Sequence, residues 1–135
     1  VIFHVPIKNI PVAALIGALT WAIYQLLTIK AELSPLFACF LSACAVGLFS
    51  DIAARICKEA TTIFIIPGIL SLVPGRGMYR TMAALVSDEL SEAIEIGTQT
   101  IFTAGAIALG LLVIGSMIRI VVAIIRRASY VVNKL

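Results

Sequence analysis

Two arginines, Arg76 and Arg80, follow directly on two Pro-Gly pairs, Pro67-Gly68 and Pro74-Gly75. All lie in the otherwise apolar stretch Thr61–Arg80, T-T-I-F-I-I-P-G-I-L-S-L-V-P-G-R-G-M-Y-R. Proline withdraws a backbone donor and clashes with the carbonyl one turn back, and glycine loosens the chain. An intact helix is therefore not expected across Pro67–Gly77. A helix restarting after Pro67-Gly68, or over Gly75–Gly77, would carry uncovered N–H groups. Such groups bear partial positive charge and suit a carboxylate. Arg76 and Arg80 could add charge-assisted bonds. Free carbonyls ahead of Pro67 or Pro74 are the matching candidates for an ammonium, with Asp51 a weaker one. Thr98, Gln99 and Thr103 make the start of a later apolar run polar and could read a side-chain hydroxyl. Freed backbone groups survive in lipid only inside protein or beside water, and broken helices of this kind mark transporter binding sites. The plainer alternative is that the prolines only end a short span and the arginines anchor to lipid phosphate.

A second constellation is the stripe Cys39, Ala43, Gly47 and Asp51, each four residues apart, with Arg55 four further on. The acid-then-base order suits a helical ion pair. It reads either as a helix-end pair at the membrane surface or as a protonatable carboxylate coupled to transport.

Other chemistries find little support. Cys39, Cys44 and Cys57 form no CxxC pair, and an odd count gives no disulfide framework. His4 has no neighbours to complete a metal set and reads as a packing or interface residue. There is no Ser-His-Asp set, no HExxH and no nucleotide loop; the run Pro74-Gly75-Arg76-Gly77 is followed by no G-K-[ST]. No enzyme, cofactor or metal is expected. No aromatic-basic interleaving points to nucleic acid.

The elements that must position these residues follow from composition. The 135 residues are 61% apolar and 13% charged, with a mean hydropathy of +1.13. A soluble domain is about 45–50% apolar and about 25% charged. The excess calls for lipid or other subunits, so an all-α integral membrane protein is expected, as one domain over 1–135. Uncharged runs at Asn9–Ile29, Leu33–Ser50, Ala60–Gly75 and Ile96–Ile118 predict about four spans. The expected elements are an extended arm at 1–8 and helices near 11–29 and 35–56. They continue with a broken helix at 61–74, an amphipathic helix, or two, at 77–95 with a bend near Ser87, and a last helix at 97–127. No secretory leader is legible ahead of the first long run. With four crossings and the N-terminus inside, the inner stretches hold Lys8, Arg55, Lys58, Arg119, Arg126, Arg127 and Lys134; the outer ones hold Lys30, Arg76 and Arg80. That bias predicts two cytoplasmic termini.

At Phe64–Arg80 the chain resembles the threonine/serine exporter family. It is similar to the small YjjB-like component, or to the C-terminal membrane domain of fused ThrE proteins. The resemblance rests on Pro67, Gly68, Ile69, Leu72, Val73, Pro74, Gly75, Tyr79 and Arg80. Phe3, Val5, Pro6 and the thin stretch Gly105–Gly110 also fit. It implies secondary export of threonine, serine or a dicarboxylate such as succinate, in the plasma membrane of a bacterium. It also implies a hetero-oligomeric partner: a YjjP-like membrane subunit, or the N-terminal half of a fused exporter. A homo-oligomer is a further option. The motif puts Tyr79 among the candidate substrate-binding residues. A membrane scaffold that only assembles a partner transporter is the competing expectation.

Overall fold

Pro11 and Pro35 each sit in the first turn of a helix, where a missing N–H costs no hydrogen bond. In the computed structural model, which describes residues 6–30, 32 and 34–134, α1 runs Ile10–Ile29 behind a 3₁₀ turn at Ile7–Asn9. Helix α2 runs Pro35–Cys57. Lys58, in the left-handed region at φ 55°, closes it, and the N–H groups of Lys58 and Glu59 both donate to the Ala54 carbonyl. Helix α3 covers Thr62–Leu70, α4 Gly75–Val86 and α5 Leu90–Val132. Every regular element among the described residues is helical. Most of the arm expected at 1–8, His4 included, lies outside the described residues; its described end is the 3₁₀ turn.

Among the described residues, three helices are long and apolar enough to cross a membrane: α1 with its leading turn, α2 and α5. Helices α3 and α4, bent by 52° at their junction, qualify together as a broken fourth span. The break falls at one Pro-Gly pair, not two. Pro67 lies inside α3, and the helix continues to Leu70. Proline deletes one donor, and this helix tolerates the loss because its flank is packed. The Ser71 hydroxyl also donates to the Gly68 carbonyl at 2.7 Å, closing the last turn.

The amphipathic segment expected at 77–95, as one helix or two with a bend near Ser87, is two. Helix α4 begins two residues earlier, and the chain turns at Ser87–Glu89 with Asp88 at φ 62°. Gly97 does not start the last helix; it lies inside α5. A Cβ at Gly97 would sit 3.2 Å from Thr81 Cγ2, so the missing side chain admits α4.

Among the described residues, the packed pairs are α1–α2, α1–α3, α2–α3, α2–α5 and α4–α5. One core joins Ala13 and Ile16 of α1 to Ala53 and Ala54 of α2 and Phe64 of α3. A second joins Cys39, Ala43 and Val46 of α2 to Leu72 and to Ile107 of α5. These partners make α1 and α3 antiparallel to α2. Helix α5 runs parallel to α2: a Cβ at Gly110 would sit 2.7 Å from the Phe40 carbonyl oxygen and 2.9 Å from Ala43 Cβ. Such small-residue contacts are how helices approach in lipid, where apolar burial gives no drive.

This register gathers charge at two levels. Lys30, Glu32, Arg76 and Glu95 lie toward the Ser34 end of α2; Lys8, Asp51, Arg55 and Arg119 lie toward its Cys57 end. The uncharged band of α2 between them is about 25 Å deep at 1.5 Å per residue, close to a hydrocarbon core of about 30 Å. Helix α5, with 43 residues, is about 65 Å long and overshoots the band at both ends. Its first turns and α4 make an antiparallel hairpin at the Ser34 end, and its distal turns project past Cys57. Both described ends of the chain therefore share one face.

Candidate functional site

The second Pro-Gly pair builds an open helix start. Pro74 has φ −75° and ψ 55°, and the Gly75 N–H donates to the Val73 carbonyl at 2.7 Å. This is an inverse γ-turn. Helix α4 then begins with the Met78 N–H on the Pro74 carbonyl at 3.1 Å. The N–H groups of Arg76 and Gly77 find no acceptor among the described residues, and no side chain caps the turn. A Cβ on Gly75 would meet nothing within 4 Å. Arg76 is exposed beside it. Free N–H groups and the helix dipole thus lie at the edge of the uncharged band, with an exposed arginine in the same turn, which is chemistry for a carboxylate.

The first pair is closed. Gly68 is buried, and a Cβ there would lie 2.7 Å from Val46 Cγ1 and 3.3 Å from Ile16 Cγ2. The Pro67 carbonyl oxygen is turned to Gly17, 3.7 Å from where a Cβ on that residue would be. No helix restarts after Gly68, so that arm of the sequence expectation is not realised.

The remaining candidates spread along the α4–α5 hairpin. Gly77 packs directly on Thr100, and Gly97 on Thr81, a reciprocal pairing that draws the two helices together. Arg80 donates to Glu92 at 3.2 Å, both side chains about half exposed, so this ion pair ties the hairpin on its wet side. Tyr79 and Gln99 are exposed at the same level. The hydroxyls of Thr98 and Thr103 donate to the Ile94 and Gln99 carbonyls at 2.7 and 2.8 Å, within α5 itself. Each hydroxyl thus donates within its own helix and keeps its oxygen lone pairs to accept from a solute. Between α4 and α5 lies an apolar groove of about 320 Å³ walled by Met78, Thr81, Met82, Thr100, Ile101 and Ala104.

Asp51 accepts from Arg55 Nε at 2.6 Å, as the four-residue spacing predicts. Asp51 is half-buried and Arg55 exposed. It lies at the opposite edge of the band from Arg76, so acid and arginines do not share a site. Among the described residues, no group of three His, Cys, Asp or Glu could hold a metal ion.

Sequence reasoning overlooked three features. Glu92, twelve residues from Arg80, carries no local spacing signal. The Gly-Thr pairs could have been suspected from glycines flanked by threonines at helical spacing. Ser42 and Ser50, on the buried face of α2, hold hydroxyls with no partner among the described residues; two serines eight apart in an apolar span were the available hint.

A family model for the threonine/serine exporter ThrE matches residues 1–117. Neither a curated protein nor a solved structure matches the chain. The matched span takes in α1 to α4, the break at Pro74 and most of the apolar length of α5. The matched family is one of exporters, not of enzymes. On that match, and on its bundle of membrane-length helices with one broken span, the chain belongs to the threonine/serine exporter (ThrE) family.

Proposed function

We propose that this chain is the membrane subunit of a secondary exporter for small polar amino acids such as threonine and serine, and that the break at Val73–Gly77 receives the substrate carboxylate. The observation that carries this is the start of α4: two uncovered N–H groups and an exposed guanidinium beside a glycine with open space around it. Arg76 contributes charge directly. Arg80, paired with Glu92, holds the hairpin in place. Tyr79 and Gln99 are the exposed polar groups at that level for the rest of the solute. A dicarboxylate is the alternative solute, with Arg76 as one cation and Arg80 as the second once it exchanges Glu92 for the substrate. Proton coupling through Asp51 is the companion proposal; there the Arg55 pair would hold the carboxylate.

The open side of the site calls for a second subunit. Leu70, Val73, Met78, Tyr79 and Met82 are exposed on α3, the break and α4. A YjjP-like membrane subunit or the other half of a fused exporter would cover that side, with a second copy of this chain as the alternative. A count of seven bases on the face shared by both chain ends, against three on the other, supports cytoplasmic termini in a bacterial plasma membrane.

The test is uptake of labelled threonine, serine and succinate into vesicles holding both subunits. Arg76→Gln should lower transport of the preferred substrate while leaving assembly intact. Full transport by that variant sinks the site. A second reading, a scaffold that assembles a transporting partner, is favoured by the tight packing of Gly68. It predicts that no variant at Val73–Gly77 alters substrate preference, whereas Gly68→Leu abolishes assembly. Asp51→Asn with unchanged proton coupling would make that acid structural.

A further inference from the structure

The distal turns of α5 carry a feature that transport at the α4 start leaves unused. Arg119 and Arg126 are seven residues apart and so share a helix face, Arg127 adjoins them, and Tyr130 lies one turn beyond. All four line a groove of about 630 Å³ between this part of α5 and the Cys57 end of α2. Asp51 and Arg55 close its far side, and the Arg55 guanidinium is already committed to Asp51 at 2.6 Å. Arg119, Arg126 and Arg127, which also line it, have no ion-pair partner among the described residues.

The groove is not a polar cleft. Its walls are mostly apolar, with Ile118, Val122 and Ala123 as floor. It shares Asp51, Arg55, Ile118 and Val122 with a second groove of about 350 Å³. That one descends into the uncharged band along Leu48, Ile114, Met117 and Val121. Cations thus stand at the membrane edge above a hydrocarbon-lined furrow that enters the bilayer. A free phosphate or a small dicarboxylate could use the arginines but would gain nothing from the furrow. An apolar peptide could use the furrow but would leave the arginines unpaired. A molecule with an anionic head and a long acyl chain satisfies both. Guanidinium groups grip a phosphate in paired hydrogen bonds, and basic pockets between membrane helices are built for such heads.

We propose that this groove is a binding site for an anionic phospholipid of the leaflet at the Cys57 end of α2. Its phosphate meets Arg119, Arg126 and Arg127, and an acyl chain lies along Val122 and Met117.

The test is native mass spectrometry of the purified chain, released from detergent micelles containing equal phosphatidylglycerol and phosphatidylcholine. The wild-type protein should retain phosphatidylglycerol about tenfold or more over phosphatidylcholine, since basic residues near a membrane surface attract anionic lipid. Arg119→Gln/Arg126→Gln/Arg127→Gln should abolish the preference. Arg76→Gln/Arg80→Gln, at the other membrane edge, should keep it. Val122→Trp, which fills the furrow without changing charge, should also lose the lipid, and millimolar inorganic phosphate should not displace it. Equal retention of the two lipids by the wild-type chain overturns the proposal without any variant. So does retention that survives Val122→Trp, which would mean a diffuse charge effect, and so does displacement by phosphate, which would mean a simple anion site.

Discussion

Two identical dipeptides seven residues apart do opposite things in this molecule. Pro67-Gly68 sits within a continuous helix, and its glycine is a contact surface for α1 and α2. Pro74-Gly75 ends one helix direction and begins another, and its glycine faces open space. The difference lies in the neighbours. Val46 and Ile16 leave no room for a side chain at position 68, so there the lack of a Cβ serves packing. At position 75 the turn geometry of Pro74 does the work, and glycine leaves room for another molecule to approach the backbone. A Pro-Gly pair at bilayer depth is thus not in itself a rupture. It becomes one where the chain on its far side has a different partner, here α5 instead of α2.

The largest expected effect comes from filling the closed pair. Gly68→Leu should destabilise the chain by about 3 kcal/mol, the upper range for overpacking a tight core. Thermal unfolding in detergent should show early melting and loss of the monodisperse peak on gel filtration; wild-type behaviour would mean that Val46 and Ile16 do not confine the site. Next is the open pair. Arg76→Gln should cost about tenfold in transport, or roughly 1.4 kcal/mol, with an unchanged melting temperature. A parallel fall in both would make Arg76 a structural residue and erase the contrast.

A smaller change should come at Lys58, which holds a left-handed φ of 55° without being glycine. Lys58→Gly should stabilise the chain by up to about 1 kcal/mol, read as a raised melting temperature. The smallest belongs to Gly75→Ala. With nothing within 4 Å of the new methyl, stability should stay within about 0.5 kcal/mol. Equal losses from Gly75→Ala and Gly68→Ala would remove the distinction between the two pairs.

The spans were legible because lipid imposes a rule visible in one dimension: a long run without charge has few other places to go. The runs Asn9–Ile29 and Leu33–Ser50 therefore begin within two residues of α1 and α2, although α2 continues seven residues past Ser50, through the Asp51–Arg55 pair, to Cys57. Asp51 and Arg55 were legible for a similar reason, since helical spacing alone brings them together. Gly68 and Gly97 were misread because a glycine's role depends on what approaches it from another helix. Val46 and Thr81, which decide the matter, lie 22 and 16 residues away in the sequence. The arginines were recognised as candidates, but Arg80 turned out to be tied to Glu92 across the hairpin, a partner that no local pattern announced. The threonines at 98 and 103 were legible as polar groups, but not that their hydroxyls would donate to their own helix, which leaves them to a solute as acceptors only.

The most direct measurement is thiol accessibility at the open pair. A Gly75→Cys chain, with Cys39, Cys44 and Cys57 replaced by alanine, would be assembled with its partner in vesicles and treated with a membrane-impermeant maleimide. Site-directed labelling from one side only, slowed by threonine or serine and not by an apolar amino acid, is the predicted result. A cysteine that resists labelling from both sides, or that labels at the same rate whatever solute is present, would contradict the assignment of the α4 start as the place where the substrate is held.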